Sequence, residues 1–140
     1  LFEENFSCLE DKIQSLGCQK PTAIEVLEAI TKIFPNQKGI PQNTKSACKR
    51  LCLFLRWMIR KNSEVDFGIW NILQEKDLII PLDTHVFRIS KQLSLTNRKQ
   101  ADMLSAIQIT EKLKITFPDD PLLGDYALFG YGVKHQEKTK

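Results

Sequence analysis

The chain has 140 residues, of which 42% are hydrophobic and 26% charged, with a formal net charge of +3. This length suits one domain with a hydrophobic core, and the charge is too small to identify a polyanionic partner. No apolar run approaches the roughly 18 residues needed to cross a bilayer, and no signal peptide is visible. We therefore expect a cytoplasmic protein without a membrane partner. Because the first residue is Leu1, we also expect a fragment or a processed chain.

The first part of the chain predicts helices joined by polar turns. Apolar residues at steps of three and four predict an amphipathic helix from Phe2 that Gly17 can terminate. Thr22 and Glu25 predict a capping box at the start of a second helix. Prolines, asparagines and a glycine then predict a loop over residues 35–43.

A third helix is predicted over residues 44–61, followed by a polar break over 62–66. The short apolar segment at 67–73 is interpreted as a helical turn. We expect the aromatic residues of this part and of the last helix to lie in the core rather than to stack on bases; they are Phe67, Trp70 and Tyr131.

Three more helices complete the predicted all-α fold. Two of them span residues 84–93 and 97–117. The last one begins after its N-cap, Asp120, and ends at Gly130 and Gly132. We predict one helical domain over residues 1–133 and a solvated tail over 134–140.

Asp83 is the residue with the clearest local signal. Pro81 disfavours helical geometry at the preceding Ile80, whereas an apolar pattern with helical spacing follows Asp83. We therefore predict that Asp83 is the N-cap of the helix and accepts hydrogen bonds from otherwise unpaired backbone N–H groups. A carboxylate held there would be ionised and fixed, which serves either structure or catalysis.

The third predicted helix carries a cationic face. Residues 45–61 contain six basic residues and no acidic one, and four of them fall within about 60° on a helical wheel: Lys45, Lys49, Arg56 and Arg60. Phosphate groups are natural partners for such a face. The alternatives are a solvated face, an internal ion pair of Arg56, or pairing with acids elsewhere, namely Glu64, Asp66, Asp119 or Asp120.

Cysteine spacing indicates no metal site. The four cysteines form no Cys-x-x-Cys pair and lack zinc-like spacings. Cys48 and Cys52 lie one helical turn apart, which favours neighbouring buried thiols over a disulfide.

The segment Leu82-Asp83-Thr84-His85-Val86-Phe87-Arg88 resembles the loop-to-helix junction of the helix-hairpin-helix DNA glycosylases, the endonuclease III-like superfamily. A closer likeness is to an uncharacterised bacterial family that is a distant branch of that superfamily. Its hallmarks are similar to Ser46-Ala47-Cys48-Lys49-Arg50-Leu51, Phe54-Leu55-Arg56-Trp57-Met58, Ile80-Pro81-Leu82-Asp83 and Ala127-Leu128-Phe129-Gly130. The resemblance implies a compact helical domain of the glycosylase fold, or the C-terminal part of that fold.

The resemblance also implies roles for individual residues. Asp83 matches the catalytic carboxylate, and Lys45, which opens a triplet similar to the family's Lys-Thr-Ala, matches the amine nucleophile of bifunctional members. His85 and Thr84 would support the site, and Arg88 would bind phosphate or brace Asp83. Double-stranded DNA would contact five basic residues: Lys45, Lys49, Arg56, Arg60 and Arg88.

The chain departs from the glycosylase pattern in three places, one of which is a longer insert between Lys45 and Asp83. Residues 40–44 contain no glycine where the family hairpin grips a phosphate, and no cysteine follows Gly132, so we expect no iron–sulfur cluster and no other cofactor. The sequence predicts a DNA-repair glycosylase acting on damaged or mispaired bases. A non-catalytic nucleic-acid-binding module and a helical protein-interaction domain remain alternatives, and the oligomeric state stays open.

Overall fold

The computed structural model describes residues 2–16, 20–61 and 63–138. Within these residues it has six α-helices, one short 3₁₀ helix and no strand, which confirms the predicted all-α fold. The α-helices are α1 (Phe2–Leu16), α2 (Ala23–Ile33), α3 (Lys49–Ile59), α4 (Thr84–Gln92), α5 (Met103–Thr116) and α6 (Leu122–Lys138), and the 3₁₀ helix is Glu75–Asp77.

The predicted capping box starts α2. The Glu25 N–H donates to Thr22 Oγ1 at 3.3 Å, and the Thr22 N–H donates to Glu25 Oε1 at 3.2 Å. These bonds satisfy two backbone donors that the first turn of a helix leaves without intrahelical partners. The packing of α1 against α2 then buries Ile13 against the core. Gly17, the predicted end of α1, lies outside the described residues.

The prediction that α3 spans residues 44–61 is wrong at its start. Cys48 has a left-handed backbone (φ 49°), so the helix begins only at Lys49. The preceding segment is held instead by α5, because Met103 N donates to Lys45 O at 3.1 Å and Ser46 bridges Asp102. Lys45 therefore lies outside the helix that it was predicted to open.

Residues 67–73 do not form the expected helical turn. They follow the end of α3, where Phe67 N and Trp70 N donate to the carbonyls of Trp57 and Met58, each at 2.8 Å. Trp70 is fully buried as predicted, and its indole N–H donates to Phe6 O at 2.8 Å. Phe67 is 57% exposed, so the prediction that it belongs to the core is wrong.

The last two helices differ from their predicted bounds. The predicted start of α5 is residue 97, but the helix begins only after its N-cap, Asp102. The Asp102 carboxylate accepts a hydrogen bond from the Ser105 N–H at 2.9 Å. Asp120 does not cap α6, because its Oδ2 binds Arg60 and its Oδ1 has no hydrogen-bond partner.

Neither Gly130 nor Gly132 ends α6, which continues to Lys138 through most of the predicted tail. Gly132 instead allows a close approach to α4: a Cβ there would lie 2.5 Å from His85 Nε2. A helix interior tolerates glycine at a cost of about 1 kcal/mol, which close packing can offset. No helix in the described part of the chain is both long and apolar enough to span a membrane.

Candidate functional site

The Asp83 carboxylate is fixed at the start of α4, as predicted. Asp83 has extended backbone, and its Oδ1 accepts from the Val86 N–H at 2.8 Å. Residues 78–82, which lead to it, are buried in the core and anchor the start of the helix. The side chain of Asp83 is 35% exposed, so it remains accessible from solvent.

Lys49 is the basic residue that reaches this carboxylate. Its Nζ lies 3.1 Å from Asp83 Oδ2, and half of its side chain is exposed. Partial burial raises the pKa of Asp83, but the Val86 N–H and the hydrogen bond and charge of Lys49 outweigh it and hold the pKa below its usual value. Asp83 is therefore a carboxylate at neutral pH.

Lys45 is exposed in the extended segment before α3. Its backbone N–H donates to Asn43 Oδ1 at 3.0 Å and its carbonyl accepts from Met103. Among the described residues, its side chain makes no ion pair with Asp83. The sequence resemblance pointed to Lys45, whereas tertiary structure brings Lys49, one turn further along the chain, into contact with the carboxylate.

His85 and Arg88 form a pair on α4, where His85 lies against Gly132 of α6. Arg88 Nη2 lies 3.2 Å from His85 Nδ1, and the His85 ring meets the Phe129 ring edge-on with centroids 6.4 Å apart. The predicted structural role of His85 agrees with these contacts. Arg88 binds His85 rather than Asp83, so the bracing role predicted for it is wrong. Thr84 is exposed at the first position of α4.

Two of the predicted phosphate ligands, Arg56 and Arg60, lie in an internal ion cluster. Arg56 Nε lies 3.2 Å from Asp66 Oδ1, and Arg60 Nη1 lies 2.9 Å from Asp66 Oδ2. Arg60 also reaches Asp120 Oδ2 at 2.8 Å, and both guanidinium groups lie 5.4 Å from the Tyr126 ring centroid.

Exposure decides what the two arginines of this cluster can do. Their side chains are 14% and 8% exposed, and that of Asp66 is fully buried. The internal pairing with Asp66 and Asp120 is thus confirmed, and the predicted continuous cationic face is not formed. Lys45, Lys49 and Arg88 remain as the exposed members of the predicted phosphate-binding set.

Asp125 is a residue that sequence analysis missed. It lies on α6 with its Oδ1 sealed from solvent and without a hydrogen-bond partner among the described residues. Burial raises the pKa of Asp125 to about 6; the charges of Arg56 and Lys49 lower it, and that of Asp83 raises it further. The one available signal was a lone acid inside an apolar helical run, Leu122-Leu123-Gly124-Asp125-Tyr126-Ala127-Leu128.

The cavities of the described structure include one beside Lys49 and a larger one elsewhere. A shallow groove of about 550 Å³ is lined by Lys49 and Arg50 together with residues 39–41, Ser46 and Cys48. A larger one of about 680 Å³ lies between the start of α2, residues 71–79 and α5. Asp83 lines neither cavity, and its link to the groove is Lys49, which lines the groove and pairs with the Asp83 carboxylate.

The state of Cys48 and Cys52 agrees with their interpretation as neighbouring buried thiols. Cys48 and Cys52 are free and buried, and burial raises the pKa of Cys52 to about 12. A thiol with so high a pKa is a poor nucleophile and metal ligand. Cys8 is free and exposed, and Cys18 lies outside the described residues. In the described part of the chain, no three His, Cys, Asp or Glu residues are grouped so as to hold a metal ion.

These features define an all-α domain whose fixed, ionised aspartate stands at the start of a helix beside a lysine. A protein-family sequence pattern matches residues 3–134, which include almost all of the described structure. The chain therefore belongs to this family, which is described as "Protein of unknown function (DUF2400)". No curated protein and no solved structure matches the chain.

Proposed function

We propose that this protein is a DNA-repair glycosylase-like enzyme that acts on damaged or mispaired bases in DNA. The observation that carries the proposal is the Asp83 carboxylate, which is ionised, held by the Val86 N–H and still partly open to solvent. Its sequence context is the one that resembles the catalytic junction of the helix-hairpin-helix glycosylases.

An aspartate in this state suits the cleavage of a base from its sugar. As the bond between them breaks, its electron pair leaves with the base and the sugar acquires cationic character. A fixed carboxylate stabilises that charge, and a water molecule then adds to the sugar and loses a proton, which the departing base takes up. Because Asp83 is already ionised and oriented, it needs no reorganisation to act.

Lys45 and Lys49 have different roles in the proposal. Lys45 is exposed and keeps its proposed role as a nucleophile, which would require its amine to be unprotonated at the moment of attack. Lys49 neutralises Asp83 in the free protein. In a complex, its half-exposed ammonium group would turn to a DNA phosphate and leave the carboxylate to the sugar.

The test is base release or strand nicking by the full-length protein on a panel of lesion-containing and mismatched duplexes. Asp83→Asn removes the charge but keeps the shape, and we expect a loss of activity of at least about 100-fold, as for other electrostatic transition-state contacts. Asp11→Asn, on the exposed side of α1, is the matched control. Wild-type protein that is inactive across the panel would refute the proposal, as would unchanged activity of Asp83→Asn.

A non-catalytic nucleic-acid-binding module is the second candidate. It is favoured by the ion pair that the Lys49 ammonium group already makes with Asp83 and by the absence of glycine in residues 40–44. It predicts salt-dependent DNA binding without base release. Replacing both Lys45 and Lys49 with glutamine should reduce the salt slope by about one for each lost phosphate contact. No DNA affinity even at low salt would favour a protein-interaction domain instead.

A further inference from the structure

Contacts of α6 with α3 and α4 fix the position of Asp125. The Tyr126 ring lies beside the guanidinium group of Arg56, and the Phe129 ring lies beside His85. Asp125 directly precedes Tyr126 and stands one helical turn before Phe129, on the same side of the helix as Phe129. Its side chain therefore faces the gap between α3 and the start of α4.

Charged groups meet Asp125 in this gap from both neighbouring helices. The charges of Lys49 and Arg56 on α3 act on the carboxyl group of Asp125, and so does the charge of Asp83 at the start of α4. Arg56 is held in a largely buried ion pair with Asp66, whereas the pair of Lys49 with Asp83 is partly exposed. An ionised Asp125 would therefore compete with Asp83 mainly for Lys49.

The neutral form of Asp125 fits its surroundings. Its Oδ1 is sealed from solvent and has no hydrogen-bond partner in the described part of the chain, and a buried carboxylate without a donor is strongly unfavourable. The pKa of about 6 means that the proton is lost near physiological pH rather than far below it. The two carboxyl groups of the site are thus held in different protonation states at mildly acidic pH.

We propose that Asp125 is a positioning residue that controls the charge of the Asp83 site. When Asp125 is neutral, the Lys49 ammonium group stays on Asp83. When Asp125 loses its proton, it draws Lys49 away and leaves the Asp83 carboxylate free to face a substrate. The charge coupling stands independently of the proposed function, whereas its consequence for base release rests on that function.

The coupling can be measured by NMR titration of the side-chain carboxyl carbons in the full-length protein. We expect Asp125 to titrate near pH 6 and the Asp83 carbon to show a second, smaller inflection at the same pH. Asp125→Asn should abolish that second inflection, and Asp11→Asn should leave it unchanged. An Asp125 that titrates at the pH of an ordinary aspartate, or an Asp83 signal without a second inflection, would overturn the proposal.

Lys49→Gln keeps the proposal testable even if Asp125→Asn fails to fold. Because the Lys49 charge lowers the pKa of Asp125, its removal should raise that pKa. An unchanged Asp125 titration in Lys49→Gln would show that the two groups are not coupled and would overturn the proposal.

The catalytic consequence has its own readout. Base release by the wild type should rise as pH increases through about 6, and this rise should be lost in Asp125→Asn while the carboxyl titration of Asp83 at lower pH persists. A protein with coupled titrations but no base release would refute the proposed function and leave the charge coupling established. Base release whose pH profile is the same in the two proteins would overturn the positioning role.

Discussion

Replacing Asp125 with asparagine should change how the stability of the protein depends on pH. The folded protein raises the pKa of this group from 3.8 to about 6, a difference that corresponds to about 3 kcal/mol. Because the folded pKa is the higher one, the stabilisation is fully present below about pH 4 and is lost as pH rises through about 6. The wild type should therefore lose stability over this range relative to Asp125→Asn, whose amide does not titrate.

Urea unfolding of the two proteins at about pH 4.5 and about pH 7.5 measures this effect. The linkage relation assigns about 2 kcal/mol of the total to that interval, so the stability difference should shift by this amount in favour of the variant. The unbonded amide of asparagine adds a cost that does not depend on pH, so only the change between the two pH values is diagnostic. Asp11→Asn, which alters an exposed side chain, corrects for general charge effects. A difference that stays constant within about 0.5 kcal/mol would refute the raised pKa and the argument built on it.

Two further predictions concern the packing around the site. Asp66→Asn leaves the largely buried side chains of Arg56 and Arg60 without their shared carboxylate. It should lower the free energy of unfolding, measured in urea, by about 3–5 kcal/mol. The control Glu64→Gln, on the exposed surface, should change it by no more than about 0.5 kcal/mol. Gly132→Ala would push a methyl group against His85 and should lower stability by about 1–3 kcal/mol. In Gly130→Ala the added methyl group would meet no described atom within 4 Å, so this variant should be neutral or stabilising by up to about 1 kcal/mol. Equal effects in the two glycine variants would contradict the close contact between α4 and α6.

The features that sequence predicted well are those decided by neighbours in the chain. The Thr22–Glu25 capping box and the Asp83 N-cap depend on residues three positions apart, so their patterns are visible in the sequence. The buried face of α5, with Met103, Ala106, Ile109 and Leu113, also follows from helical spacing alone.

The basic helix shows which features the sequence left open between alternatives. Helical spacing placed Arg56 and Arg60 on one cationic face, but Asp66 and Asp120, brought in from separate segments, convert them into internal ion pairs. Likewise, the pairing of Lys45 O with Met103 N and the left-handed Cys48 delay the start of α3, and neither has a strong local signal. The Arg60–Asp120 and Lys45–Met103 contacts join residues that are about 60 positions apart in sequence.

The sequence by itself determined the helical class, the cap at Asp83 and thus the position of one fixed carboxylate, because hydrogen bonds within a single turn set these features. Only the tertiary structure decided which charges surround that carboxylate. Close packing of α6 on α4 and α3 brings Asp125 and Lys49 to the same place, and the pKa values of both aspartates depend on burial and on these non-local charges. Distance in space, and not order along the chain, governs electrostatic interaction.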